Sequence, residues 1–300
     1  MFDAFMNRRD ILRGSIAGLI WGGASMAQAD VRAPEVRIHA AVGGRQVPVW
    51  TWHPQKPNGL AIVFFSGAFS SPAKYRRLIE PWVRAGYGVF APLPVDSTDN
   101  PDHARYDRPA VWRTRVEDAH IVADLASTYG GGRFLAAGHS YGGLNALALG
   151  GAKPAPPPDD PRPMADPRVL AIAAFSPPGA MPGLIDTAGF LSMNKPALVQ
   201  TGTKDVLPGF IDDYHAHLDA FEAGTGRPLY GLILDDVDHY FGSGICRPEL
   251  PVPVLEEALA QAVGVSIDLF DAIGLHNVTA HERLDGSPER QGTGRLLRRL

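Results

Sequence analysis

The sequence predicts an α/β fold, a mostly parallel central sheet flanked by helices, and three observations carry that expectation. Leu60 to Phe65 (Leu-Ala-Ile-Val-Phe-Phe) is continuously apolar, the pattern of a strand buried on both faces under covering helices. Strand, loop and helix patterns then repeat three times before residue 150, which implies right-handed crossovers. Finally, Gly138-His139-Ser140-Tyr141-Gly142-Gly143 joins a β-prone stretch, Arg133 to Ala137, to a helix-prone one, Leu144 to Leu149.

The elements follow in order. Val36, Ile38 and Ala40, then Val47 and Val49, alternate on either side of Gly43-Gly44 and predict a β-hairpin. After the apolar strand comes a Ser-Gly loop, Ser66 to Ser71, and Pro72 opens a helix to about Ala85 with Tyr75, Leu78, Ile79 and Trp82 on one side. Gly86-Tyr87-Gly88 returns the chain to a strand, Val89 to Leu93. Asp107 and Pro109 mark the cap and first turn of a helix whose Trp112, Val116, Ala119, Ala123 and Ala126 recur every three or four residues, and Gly130-Gly131-Gly132 ends it. Residues 153–167 hold seven prolines and read as a surface loop. Further strands are expected at Val169 to Phe175, Ala197 to Thr201 and Leu229 to Leu234, and helices at Phe210 to Glu222 and Val254 to Ile273. One domain, residues 30–284, is expected, with residues 285–300 as a disordered tail; Arg295, Arg298 and Arg299 then belong to frayed chain.

Residues 1–29 read as a secretory leader. Asn7-Arg8-Arg9-Asp10 precedes a mildly apolar Gly14 to Met26 and an Ala27-Gln28-Ala29 cleavage site, which resembles a twin-arginine signal. Asn7 and Ile11 depart from the commonest residues there, so the Sec route is the alternative. The expected location is periplasmic or secreted. The leader's apolar run is short and broken by Gly and Ser, and no other stretch approaches a membrane span. Net charge is −4; without the leader it is −5, from 25 basic and 30 acidic residues, which gives no electrostatic argument for nucleic acid. The single cysteine, Cys246, excludes an intramolecular disulfide and a cysteine-based zinc site, and the histidines show no ligand cluster, so neither metal nor other cofactor is expected.

The chemistry centres on Ser140. A serine with glycine two residues away on either side, at a strand-to-helix junction, has the setting of a nucleophile elbow. Its hydroxyl needs a base, and the base an orienting group. Asp205, in Gly202-Thr203-Lys204-Asp205, follows one expected strand, and His239, in Asp238-His239, follows the last, so both fall where a parallel sheet places its chemistry. Asp212 and Asp213 read as helix-start residues, Asp235 and Asp236 as strand terminators, and His215, His217, His276 and His281 as surface or packing residues. His139 reads as structural, because its side chain projects away from the serine. The amides of Tyr141 and Ala68 are the expected oxyanion donors, with Phe69 as second choice to Ala68; Phe69, Tyr141 and Pro177 are expected to line an apolar pocket.

These residues together resemble the α/β-hydrolase superfamily over nearly the whole mature chain. The elbow, Phe175-Ser176-Pro177, Gly202-Thr203-Lys204-Asp205 and Asp238-His239 are similar to the serine-type dienelactone-hydrolase-like group, which adjoins platelet-activating-factor acetylhydrolases and cutinase-like polyester hydrolases. True dienelactone hydrolases carry cysteine where Ser140 stands, and the short span between Ser176 and Lys195 leaves room for a small lid or none. The resemblance implies an exported carboxylic-ester hydrolase acting on a small-molecule ester of short to medium acyl length. Acyl transfer, amide cleavage or perhydrolysis on the same triad is the alternative, as is a non-catalytic binding protein on this scaffold.

Overall fold

Among the described residues the strands assemble into one sheet of ten. The computed structural model describes residues 31–129, 131–156, 163–286 and 289–300; the expected leader, 1–29, lies outside them, as does 157–162 of the proline-rich loop. The strands are β1 (Glu35–Ala40), β2 (Gln46–Trp52), β3 (Ala61–Phe65), β4 (Gly88–Pro92), β5 (Phe134–His139), β6 (Val169–Phe175), β7 (Ala197–Gly202), β8 (Leu229–Leu234), β9 (Arg290–Gln291) and β10 (Gly294–Arg299). Their spatial order is β1-β2-β4-β3-β5-β6-β7-β8-β10-β9. The six strands β4, β3, β5, β6, β7 and β8 run parallel, and the hairpin β1–β2 and the pair β10–β9 extend them antiparallel at the two edges.

Both faces of the parallel strands are covered, which is why they read as unbroken apolar runs. The helices are α1 (Arg76–Arg84), α2 (Arg108–Ser127), α3 (Tyr141–Leu149), α4 (Thr187–Leu191), α5 (Asp219–Ala223), α6 (Glu256–Gly274) and α7 (Val278–Gly286). One core packs Leu78, Ile79 and Trp82 of α1 and Leu259, Leu269 and Phe270 of α6 against Ile62, Phe64, Leu135 and Leu198. The other packs Trp112, Val116 and Ala123 of α2 and Leu144 and Leu147 of α3 against Val63, Ala136 and Ile172. Asp107 caps α2 by accepting from the Ala110 amide. The chain leaves β3 for β4 on one side and returns across it to β5 on the other, so the loops after β3 and β5 part at a crevice between those strands.

Two elements of the fold differ from the sequence reading. The helix expected over Phe210 to Glu222 is a 3-10 turn, Tyr214–Leu218, capped by Asp213, followed by the five-residue α5. A short bridge between Leu207 and Ile211, turning at Gly209 (φ +78°), occupies the chain that a longer helix would need. The expected disordered tail is α7's last turn followed by β9 and β10. Leu296 enters the core, the guanidinium of Arg298 donates to Leu284 O (2.6 Å), and that of Arg299 donates to Phe221 O (2.5 Å) at the end of α5. The carbonyls left open at a helix end supply acceptors that the local sequence does not reveal.

Leu296→Ala is expected to destabilise the fold by about 2–3 kcal/mol, the cost of deleting a buried leucine side chain. Urea denaturation measures it, and an unchanged midpoint would show that β10 carries no core packing.

Candidate active site

Ser140 stands at the junction of β5 and α3 with φ 54° and ψ −125°, a conformation L residues adopt only when their surroundings impose it. Its neighbours explain how it is held. A Cβ on Gly138 would lie 2.1 Å from Gly142 O, and one on Gly142 would lie 2.1 Å from Phe65 O at the end of β3. Glycine is required at both positions because backbone passes where a side chain would be. The Ser140 amide donates to Phe175 O (2.8 Å), which fastens the turn to β6.

The loop after β3 lies against this turn. A Cβ on Gly67 would come within 3.3 Å of Ser140 Cβ and 3.2 Å of His139 Nδ1. Tyr141 N–H, the first of α3, has no partner within the helix, and the Ala68 amide has no acceptor among the described residues. Phe69 N–H donates to Asp96 Oδ2 (3.0 Å), which removes the second-choice amide from the oxyanion site. The Phe69 ring points outward, 67% exposed, on a residue with φ 60°. Pro177 is buried rather than lining an open pocket: it packs over Gly143, and its carbonyl meets His217.

Behind that loop is a buried ion pair the sequence reading missed. Arg115, on α2 within the Trp112 to Ala126 stripe, makes paired bonds to Asp96 (3.1 and 3.0 Å). It also donates to Ser66 O (2.9 Å) and Gly67 O (3.0 Å), with its guanidinium 4.8 Å from the centre of the Tyr141 ring. Burial opposes both charges, yet each partner outweighs it: Arg115 is held above its usual value and Asp96 below the usual carboxylate range. With the Gly67 carbonyl turned to Arg115, the Ala68 N–H of the same trans peptide points the opposite way, away from the guanidinium.

Asp205 and His239, set after β7 and β8, meet. His239 Nδ1 lies 2.7 Å from Asp205 Oδ1, both side chains buried, and Thr201 Oγ1 donates to Asp205 Oδ2 (3.0 Å). Burial opposes the charge on Asp205, but His217 and His239 outweigh it and hold the carboxyl well below the usual range. His139 seats His239 against the elbow. Its Nε2 lies 2.8 Å from His239 O, an atom that only accepts, so Nε2 carries the proton and Nδ1 accepts from the Tyr75 hydroxyl (2.9 Å). Tyr75 in turn accepts from Gly67 N–H (2.9 Å). Burial and the neighbouring His239 push His139 down to about 3, so the ring is neutral and the chain of bonds has one direction. The Ser140 hydroxyl makes no hydrogen bond among the described residues; contacts of this kind often close only around a substrate.

The structure also moves His217 from the periphery into the site. It is fully buried, with Nε2 3.0 Å from Asp205 Oδ1 and Nδ1 2.6 Å from Pro177 O, whereas His215 is exposed. Asp205, His217 and His239 are the one group of three described side chains close enough to share a metal ion. The 2.7 Å His239–Asp205 separation suits a shared proton and the 3.0 Å His217–Asp205 separation an ion pair; two ligands at tetrahedral zinc distances would stand about 3.4 Å apart. The Cys246 thiol is buried, which pushes it up and away from nucleophilic use.

No protein-family model matches the chain, and no curated protein does. Solved structures do. A thermophilic esterase from the Planctomycetes species Thermogutta terrifontis, bound to propionate, superposes with TM-score 0.59 at 17% identity, over 81% of this chain and 95% of its own. A puromycin-hydrolysing peptidase from Mycobacterium tuberculosis gives TM-score 0.59 at 14% identity over 81% of this chain; the match spans only 39% of the peptidase. A Klebsiella pneumoniae protein designated a dienelactone hydrolase gives 0.55 at 18% identity over 80% of this chain and 99% of its own. At these identities the likeness is one of fold.

Asp96→Asn is expected to cost about 3 kcal/mol at pH 6, because it leaves the buried Arg115 charge without its partner. A carboxyl with a depressed folded value contributes stability above its unfolded value, about 3.9, and loses it as pH falls through the folded one. The difference between the proteins in urea should therefore narrow below about pH 4. Separately, Gly142→Ala is expected to abolish the elbow geometry, read as loss of soluble folded protein or of Ser140 labelling by a fluorophosphonate.

Proposed function

From the α/β-hydrolase fold as premise, we propose that this chain is an exported serine hydrolase cleaving carboxylic esters of short to medium acyl length. The observation that carries the reading is the buried 2.7 Å contact between His239 Nδ1 and Asp205 Oδ1, placed beside an elbow that holds Ser140 at positive φ. With Nδ1 bound to the carboxylate, Nε2 is the nitrogen left to take the serine proton. Ser140 Oγ attacks the ester carbonyl, and the amides of Tyr141 and Ala68 receive the oxyanion. His239 passes the proton to the departing alcohol, and water releases the acyl group by the same steps in reverse.

Short substrates are favoured because, among the described residues, the only helix between β6 and β7 is the five-residue α4, and Ser140 is half-buried rather than sealed. The Thermogutta esterase was solved with propionate and with butyrate, in keeping with that range. Export rests on the leader pattern of residues 1–29. Among the described residues no helix is long and apolar enough to cross a membrane. Amide cleavage is the second reading, favoured by the fold likeness to the puromycin-hydrolysing peptidase.

Hydrolysis of p-nitrophenyl esters of increasing chain length, alongside the matching anilides, tests both readings. Ester turnover should peak at short to medium chains and fall by several orders of magnitude in Ser140→Ala. Equal activity in that variant, or no fluorophosphonate label on Ser140, would remove the catalytic reading.

A further inference from the structure

The carboxylate of Asp205 serves two imidazoles. His239 accounts for one; the other, His217, has no part in the acid–base steps above and is buried with no exposed surface. It comes from the 3-10 turn Tyr214–Leu218 and reaches two other loops at once, the Pro177 carbonyl after β6 and Asp205 after β7.

Its surroundings fix its charge. Nδ1 is 2.6 Å from a backbone carbonyl and Nε2 is 3.0 Å from a carboxylate oxygen, and both oxygens can only accept. A neutral ring has one N–H, so it would leave a lone pair facing an oxygen in a place closed to water. The Nε2 contact is an ion-pair approach without full hydrogen-bond alignment, which suits a charge more than a single directed bond. Resting on the proposed hydrolase reading, we propose that His217 is a positioning residue: a buried imidazolium that pins Asp205 from the side opposite Thr201 and offsets its negative charge as seen by His239. Burial opposes this charge, but Asp205 and the Pro177 carbonyl outweigh it and raise His217 above the ordinary histidine value.

The consequence falls on the base. A lone carboxylate beside an imidazole favours its protonated form, which cannot accept the serine proton; a second cation on the same carboxylate reduces that preference. The rings of His217 and His239 are 5.7 Å apart, near enough for the charge to be felt. The other groups facing the pair are the neutral His139 ring at 4.7 Å from His239, with Tyr75 behind it, and the Tyr240 ring at 5.1 Å. Asp219, near His217 in the chain, is turned to the Ala180 amide, and Asp238 to the amides of Tyr240 and Gly242. Asp213 and His215 pair with each other at the surface.

Two measurements decide the matter. In the wild-type protein, nitrogen-detected imidazole NMR, with His217 assigned by the signals lost in His217→Gln, should show both His217 ring nitrogens protonated at pH 7. An unprotonated ring nitrogen there would overturn the proposal. In His217→Gln, which keeps one donor and removes the charge, the acid limb of kcat/KM for p-nitrophenyl butyrate should move up by about one pH unit. A residue that only packs would lower kcat without moving that limb, and an unmoved limb in a folded variant would also overturn the proposal. If the variant does not fold, the wild-type spectrum still decides, with assignment through the partner variant Asp205→Asn. The spectrum needs no turnover, so a protein that shows the imidazolium but hydrolyses nothing would defeat the hydrolase reading and leave the charge state standing.

Discussion

The constraint on which the rest depends is the passage of backbone against backbone where β5 turns into α3. Gly138, Gly142 and the end of β3 approach so closely that a methyl group on either glycine would fall about 2 Å from a carbonyl oxygen. That crowding tips Ser140 into its strained conformation and lifts it out of the helix, and it brings the loop after β3 beside it. Because β3 and β5 are neighbours at the point where strand order reverses, their loops part there, and Ser140 and the loop carrying Ala68 stand beside the same crevice.

Around this turn the protein buries charged and ring groups in number, and three clusters of them are paired. Arg115 with Asp96, His139 with Tyr75 and the His239 carbonyl, and Asp205 with two histidines and a threonine are all shielded from water. Unpaired, any of them would carry a desolvation cost of several kcal/mol; paired, they fix directions that apolar packing would leave loose. The three groups hold different loops: the Arg115 pair holds the loop after β3, His139 ties it to the loop after β8, and Asp205 joins the loops after β7 and β8 to the turn carrying His217. The result is a site whose parts come from five places in the chain but are set by short, directed contacts.

Much of this was legible from local pattern. The parallel strands read correctly because burial on both faces leaves an apolar run that few other structures produce, and the strand-to-helix turn at Ser140 because only glycine tolerates the approach. Asp205 and His239 followed from chain order once the strands were known. Arg115 was hidden by its own helix, since a single arginine in an otherwise apolar stripe gives no sign of which carbonyls it will meet. His217 was misjudged for a related reason: the sequence shows that His215 and His217 lie two apart but not that the inward ring meets the Asp205 carboxylate and the Pro177 carbonyl, which come from other loops.

By itself, then, the chain's pattern determined the alternation of strand and helix, the glycine-flanked turn that holds Ser140 and the placing of Asp205 and His239 after their strands, because each depends on residues near one another or on a fixed order of elements. Tertiary structure alone decided that the C-terminal arginines close a helix end within a strand, that Phe69 gives its amide to Asp96, and that a second histidine stands on the Asp205 carboxylate. Those outcomes rest on pairing a donor with an acceptor brought near only by folding, and hydrogen-bond partners distant in sequence leave no periodic mark on it.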